Sequence, residues 1–132
     1  MTDRELMLYA VKARKNAYVP YSGYRVGAAL LTKSGKVYTG CNIENASFGA
    51  TMCAERTAFF KALSEGEEDF EKIAIVGGKQ QLSDCCVPCG MCRQVMTEFC
   101  NSEFIILLGT PDEITAYSLE TLMPLSFTNE NM

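Results

Sequence analysis

Three cysteines and one glutamate stand where this chain could do chemistry. Cys53-Ala54-Glu55 is followed downstream by Pro88-Cys89-Gly90-Met91-Cys92. Three thiolates suit a borderline-soft cation, and Zn2+ with three protein ligands keeps a fourth position for water. A carboxylate two residues after the first ligand can move the protons of that water. The pattern points to zinc-activated hydrolysis. Histidine is absent from the chain. Ser-His-Asp and Cys-His nucleophilic sites, histidine-based zinc sites and an imidazole base are therefore excluded. Proton transfer near neutral pH must fall to carboxylates, thiolates or water on a metal.

Two other readings of the cysteines compete. Cys89-x-x-Cys92 could be a redox dithiol, although such pairs do not need a Cys-Ala-Glu upstream. A closed structural zinc site needs a fourth ligand, which Cys85 or Cys86 could supply. Glu55 has no job in a closed site. Taken alone, it is explained as an acidic residue favoured in the first turn of a helix. Arg56 reads either as a surface cation or as a donor that hydrogen-bonds the thiolates and offsets their charge.

The elements that must position these residues are legible from periodicity. Leu6, Tyr9, Ala10, Ala13 and Ala17 predict a helix over 3–17, capped by Thr2 or Asp3 and ended by Pro20. Val26–Leu31 and Lys36–Cys41 read as a hairpin around Lys33-Ser34-Gly35-Lys36. Helices are expected over 54–63 and 91–100, each opening at a ligand cysteine. Helix starts present unsatisfied N–H groups, which lower thiol pKa values. Ile73–Val76, Phe104–Leu108 and the edge segment Ile114–Tyr117 complete five strands, with a short helix over 118–123. This order predicts an α/β fold, a three-layer α/β/α sandwich with a mixed five-stranded sheet. The hairpin is expected to pair antiparallel and the two later crossovers parallel.

Composition narrows the class. The chain has 132 residues, 48% of them hydrophobic, so one folded domain over 1–132 is expected. A net charge of −4 argues against nucleic acid as a partner. Lys12, Arg14 and Lys15 form a tight basic cluster that reads as a solvated face. The N-terminal stretch lacks a signal-peptide core and no apolar run could span a membrane, so a cytoplasmic protein is expected. Seven cysteines without an export signal fit reduced thiols and metal ligands better than disulfides.

Cys53-Ala54-Glu55-Arg56 with Pro88-Cys89-Gly90-Met91-Cys92-Arg93-Gln94 resembles the zinc-dependent cytidine deaminases of nucleoside salvage. Tyr21-Ser22-Gly23-Tyr24-Arg25-Val26-Gly27-Ala28-Ala29-Leu30, Gly40-Cys41-Asn42-Ile43-Glu44-Asn45-Ala46, and Leu122-Met123-Pro124 followed by Phe127 are similar to the small homotetrameric form. The resemblance implies hydrolytic deamination of cytidine and 2′-deoxycytidine. Cys53, Cys89 and Cys92 would bind zinc, and Glu55 would shuttle protons from the activated water to the base and the leaving ammonia. Asn42 and Glu44 would hold the ribose 3′-hydroxyl, and the Ala54 N–H would meet the base carbonyl. Tyr24 would form the pocket wall, and Phe127 of a neighbouring subunit would stack on the base. Arg56 would compensate the thiolate charge.

The chain departs from the family pattern at several points. Tyr24 stands where phenylalanine is frequent, Phe48 where tyrosine is usual, and Val87 where serine is usual; Cys85-Cys86 is uncommon. Cys41 reads as a buried apolar thiol. A deaminase of another aminopyrimidine nucleoside, such as blasticidin S, is the nearest rival. A polynucleotide deaminase and a structural zinc module that binds a partner are further ones.

Overall fold

The computed structural model describes residues 1–83 and 85–132. Helix α1 spans Asp3–Arg14, strands β1 and β2 span Arg25–Thr32 and Val37–Cys41, and helix α2 spans Ala54–Ser64. Strand β3 (Phe70–Gly78), helix α3 (Gly90–Phe99), strands β4 (Ile105–Thr110) and β5 (Glu113–Ser118) and helix α4 (Leu119–Leu122) follow. The strands form one sheet in the order β2-β1-β3-β4-β5, the five-stranded mixed sheet that the sequence predicts. No helix among the described residues is long and apolar enough to cross a membrane.

Alternation along the central strands builds the two cores, because successive side chains point to opposite faces. Leu30, Ile73, Ile75, Ile106 and Leu108 pack on one face with Ala58 and Phe59 of α2 and Met96 of α3. Ala29, Leu31, Ala74, Val76 and Leu107 face the other way, onto Leu6, Met7 and Ala10 of α1. Burial on both faces explains why these strands read as continuous apolar runs. Phe59 anchors the larger core, with its ring edge-on to Phe70 at 5.2 Å and tilted against Phe104 at 5.9 Å. Burying such a ring contributes about 1.5–3 kcal/mol.

Three expectations change. Among the described residues only one crossover gives parallel pairing between strands, β3 with β4. Strands β2 and β3 run in the same direction but are separated by β1, which pairs antiparallel with both. The return through α2 therefore lands β3 on the far edge of the hairpin. Second, α1 ends at Arg14 instead of running to residue 17. Tyr18 is drawn away, donating its N–H to Asn42 O at 3.0 Å and accepting from Glu44 N at 2.8 Å. Third, β3 extends through Gly77 and Gly78, which stay paired with Val26 and Arg25.

At the N-terminus, Thr2 and Glu5 form a reciprocal capping box. The predicted basic face is only partly solvated. Arg14 donates from Nε to Arg25 O at 3.1 Å and from Nη2 to Gly78 O at 2.8 Å, pinning the exit of β3. Two glycines bring helices directly onto the hairpin. A β-carbon at Gly27 would collide with Ala10 O and with Arg14, and one at Gly40 with Ala54 O and Ala58 N. Only glycine allows backbone this close.

Candidate active site

The starts of α2 and α3 bring three thiols together. Cys53 is the N-cap of α2 and Cys89 the N-cap of α3, and neither side chain caps its own helix. These positions ordinarily carry Ser, Thr, Asp or Asn, whose oxygen accepts from the first turn. Here both thiols turn towards each other. Cys53 Sγ and Cys89 Sγ are 3.8 Å apart, Cys89 Sγ and Cys92 Sγ 3.5 Å, and all three lie within 4.8 Å of one another.

That spacing suits zinc. A tetrahedral site with Zn–S near 2.3 Å separates its sulfurs by about 3.8 Å. Charge is arranged to match. Arg56 donates from Nη2 to Cys53 Sγ at 3.3 Å, while its buried Nε has no hydrogen-bond partner. The Cys53 thiol is pushed down to about 5, first by hydrogen bonding with Cys92, with Arg56 and Cys89 adding to it. The same bond pushes Cys92 up, which favours a proton on that thiol in the metal-free cluster. Metal binding displaces such a proton, because a thiol ligates as thiolate.

Cys86 settles the closed-site reading. It is buried beside Tyr24 and Gly77, and burial pushes its thiol up to about 11. Neither Cys86 nor the exposed Cys85 belongs to the three-thiol group. Among the described residues no fourth cysteine closes the site. Cys41 is half-buried at the end of β2, less enclosed than expected, and burial raises its pKa.

Glu55 is 5% exposed at the start of α2. Burial pushes its carboxyl up to about 7, against a backbone hydrogen bond that favours the ionised form. A group poised near neutrality is what a proton carrier requires. A cavity of about 220 Å³ opens beside it, lined also by Tyr24, Asn42, Cys53, Ala54 and Cys89. Five of the residues singled out from sequence for the reaction thus share one pocket with Glu55. Cys92 and Arg56 do not line the pocket but join it through the thiol group and through Cys53.

Glu44 and Phe127 do not themselves line this pocket. Glu44 is buried and accepts from the N–H groups of Tyr21 and Ser22, both at 3.1 Å, and from the Ser22 hydroxyl. Those bonds hold its carboxyl below the ordinary value, the hydroxyl most of all. Phe127 is 58% exposed in the C-terminal segment, where its carbonyl accepts from Gln94 Nε2 at 2.8 Å. A larger cavity of about 590 Å³ lies between α3, α4 and this segment, but none of the predicted site residues lines it.

A family profile described as the cytidine and deoxycytidylate deaminase zinc-binding region matches residues 1–108. The chain belongs to the cytidine and deoxycytidylate deaminase family. It is 48% identical to a cytidine deaminase of Halalkalibacterium halodurans over 98% of each chain. It is 44% identical to a cytidine deaminase of Sporosarcina psychrophila, over all of this chain and 96% of that one. The crystal structure of cytidine deaminase from Burkholderia pseudomallei superposes with a TM-score of 0.89 at 44% identity, covering 96% of this chain and all of that one. The three-cysteine cluster is the zinc-binding feature of this deaminase family.

Sequence reasoning overlooked several residues of the deaminase pocket. Val26, Thr51 and Met52 also line it. They carry no chemistry that would flag them, since only the fold brings them there. Arg93 was visible four residues after Cys89 without a stated role. It donates to Pro88 O and Leu122 O, both at 2.8 Å, and so ties the ligand loop to α4.

Arg56 yields a direct prediction. Substitution Arg56→Ala removes the donor to Cys53 and leaves three thiolates uncompensated. Zinc affinity or activity should fall about 10–100-fold, the usual cost of losing a residue that supports a metal ligand. Competition with a chromogenic chelator measures the affinity. Unchanged affinity and activity would reduce Arg56 to a packing residue.

Proposed function

We propose that this chain is a zinc-dependent hydrolase that converts cytidine and 2′-deoxycytidine to uridine and 2′-deoxyuridine with release of ammonia, in pyrimidine nucleoside salvage. One observation carries the reading: a buried carboxyl, Glu55, shares a small pocket with two thiols of a three-thiol cluster. Cys53, Cys89 and Cys92 are the residues that would hold the metal. When bound, zinc supplies a Lewis acid that makes water nucleophilic near neutral pH.

The protein's own groups do the rest. Glu55 takes a proton from the attacking water and passes it to the ring nitrogen N3 as the oxygen bonds to C4. It then carries the remaining hydroxyl proton to the amine and the C4–N bond breaks, so water and cytidine become uridine and ammonia. The N–H of Ala54 is at the open start of α2, where helix donors lack internal partners; in this reading it donates to the base carbonyl. Asn42 orients its side chain by accepting from Val26 N and donating to Tyr24 O, both at 2.9 Å. One amide hydrogen is left for a sugar hydroxyl. Glu44, with roughly four lone-pair sites of which three are used, keeps one for the same hydroxyl. Tyr24 walls the pocket, and Arg56 balances the thiolates.

The proposal extends to a homotetramer of single domains over 1–132, in which Phe127 of a neighbour completes each site. Exposed Met91, Leu125 and Phe127 support it, as apolar surface awaiting cover. A cytoplasmic location agrees with seven unpaired cysteines. The net charge of −4 speaks against a nucleic-acid partner.

The test follows ultraviolet absorbance of zinc-loaded protein with cytidine, 2′-deoxycytidine and blasticidin S. Turnover of the first two is expected. Turnover of blasticidin S alone would transfer the reading to that rival, and no turnover of any would overturn it. A stable, fully active monomer by mass in solution would remove Phe127 from the site.

A further inference from the structure

Tyr24 is tied to both sides of the pocket. Its N–H donates to Ser22 Oγ at 3.0 Å, and the Ser22 hydroxyl in turn donates to Glu44. Its carbonyl accepts from Asn42 Nδ2 at 2.9 Å. Its backbone is thus fastened to the two residues proposed for the sugar. The side chain reaches the opposite wall. The ring lies over Gly77, where a β-carbon would come within 2.9 Å of Tyr24 Cε1 and 2.6 Å of Cys86 Sγ. The phenolic oxygen is 3.0 Å from Ser83 Oγ.

The direction of that last bond follows from counting protons. Ser83 Oγ donates to Gly77 O at 3.0 Å, and Ser83 N–H donates to the same carbonyl at 2.7 Å. A serine hydroxyl has one proton to give. The Tyr24 hydroxyl must therefore be the donor, in a relay from Tyr24 to Ser83 to Gly77. Phenylalanine in place of Tyr24 would keep the ring and break the relay at its first link.

We infer that the Tyr24 hydroxyl and Ser83 are positioning groups for nucleoside binding, holding the Cys86–Val87 wall at a set distance from the Asn42–Glu44 loop. The inference rests on the deaminase reading and adds to it a coupling between two walls of the site. Cys86 and Val87 line the pocket with Tyr24 and Asn42. Loss of the bond lets the Cys86–Val87 side relax outward. Substrate binding then suffers more than the chemical step, which depends on Glu55 and the thiols.

Tyr24→Phe, Ser83→Ala, their double variant and Ser83→Thr test this in zinc-loaded protein. Each of the first two should raise KM for cytidine about threefold to tenfold, the usual net worth of one neutral hydrogen bond, with a smaller change in kcat. The double variant should be no worse than Ser83→Ala, which already removes both the bond from Tyr24 and the Ser83–Gly77 bond. Ser83→Thr, which keeps a hydroxyl, should restore KM. Amide hydrogen exchange supplies a readout independent of turnover: the Ser83 N–H should exchange faster in Tyr24→Phe by a similar factor. Unchanged exchange in Tyr24→Phe overturns the coupling. Faster exchange with unchanged KM, or additive effects in the double variant, overturns the positioning role. Wild-type protein that does not turn over cytidine refutes the deaminase reading, while the exchange comparison still decides the coupling.

Discussion

Glu55→Gln is expected to lower kcat on cytidine by a factor on the order of 10²–10⁴ with zinc content retained. Glutamine keeps the shape and hydrogen-bonding reach of the side chain but cannot accept and return a proton. Residual activity near wild type would show that the proton travels another way. The same substitution has a stability signature in metal-free protein. The folded carboxyl stands at about 7 against an ordinary 4.5, because burial disfavours its charge. The native state therefore holds its proton more tightly than the unfolded chain. That advantage is complete below about pH 4.5 and is lost as pH rises through 7. Relative to Glu55→Gln, wild type should lose on the order of 3 kcal/mol across that window. Denaturant unfolding of both proteins at several pH values measures it, and a difference that does not vary with pH would contradict the burial argument.

Removing zinc is the second large perturbation. Chelation should reduce cytidine turnover to background and lower the unfolding midpoint. A ligand present at a thousand times its Kd stabilises the native state by about 4 kcal/mol, which corresponds to roughly fifteen degrees for a domain of this size. Cys89→Ala should bind little zinc and behave like the chelated protein. Cys86→Ala should keep stoichiometric zinc, because Cys86 lies outside the thiol group. Loss of zinc from Cys86→Ala would bring back the closed structural site, in which Glu55 has no function.

The sequence made the metal cluster and its carboxylate legible because their chemistry is carried by residue type and close spacing. Cys53 with Glu55, and Cys89 with Cys92, are local patterns at helix starts. The strands were legible for a similar reason: five apolar runs bounded by Gly, Pro and polar turns. The partner of β3 was less visible. A crossover implies parallel direction, but it does not say which edge of the hairpin the returning strand takes. The first helix was read through to residue 17 because the bonds that draw Tyr18 away come from Asn42 and Glu44, far along the chain. Ser22 and Ser83 carry no signal of their own, and their importance comes only from what they touch.

Gly27 and Gly40 have a consequence for anyone redesigning the pocket. They sit on opposite faces of the same hairpin, one against α1 and the other against α2. Helix α2, with Cys53, Ala54 and Glu55 at its start, is seated on the sheet by peptide groups at Gly40 as well as by Ala58 and Phe59. Repacking those side chains alone cannot tune that height. The reactive half of the pocket is in effect a fixed jaw, and the Cys86–Val87 half, which lines the pocket from another segment, does not rest on either glycine. Libraries aimed at bulkier nucleosides belong on that side.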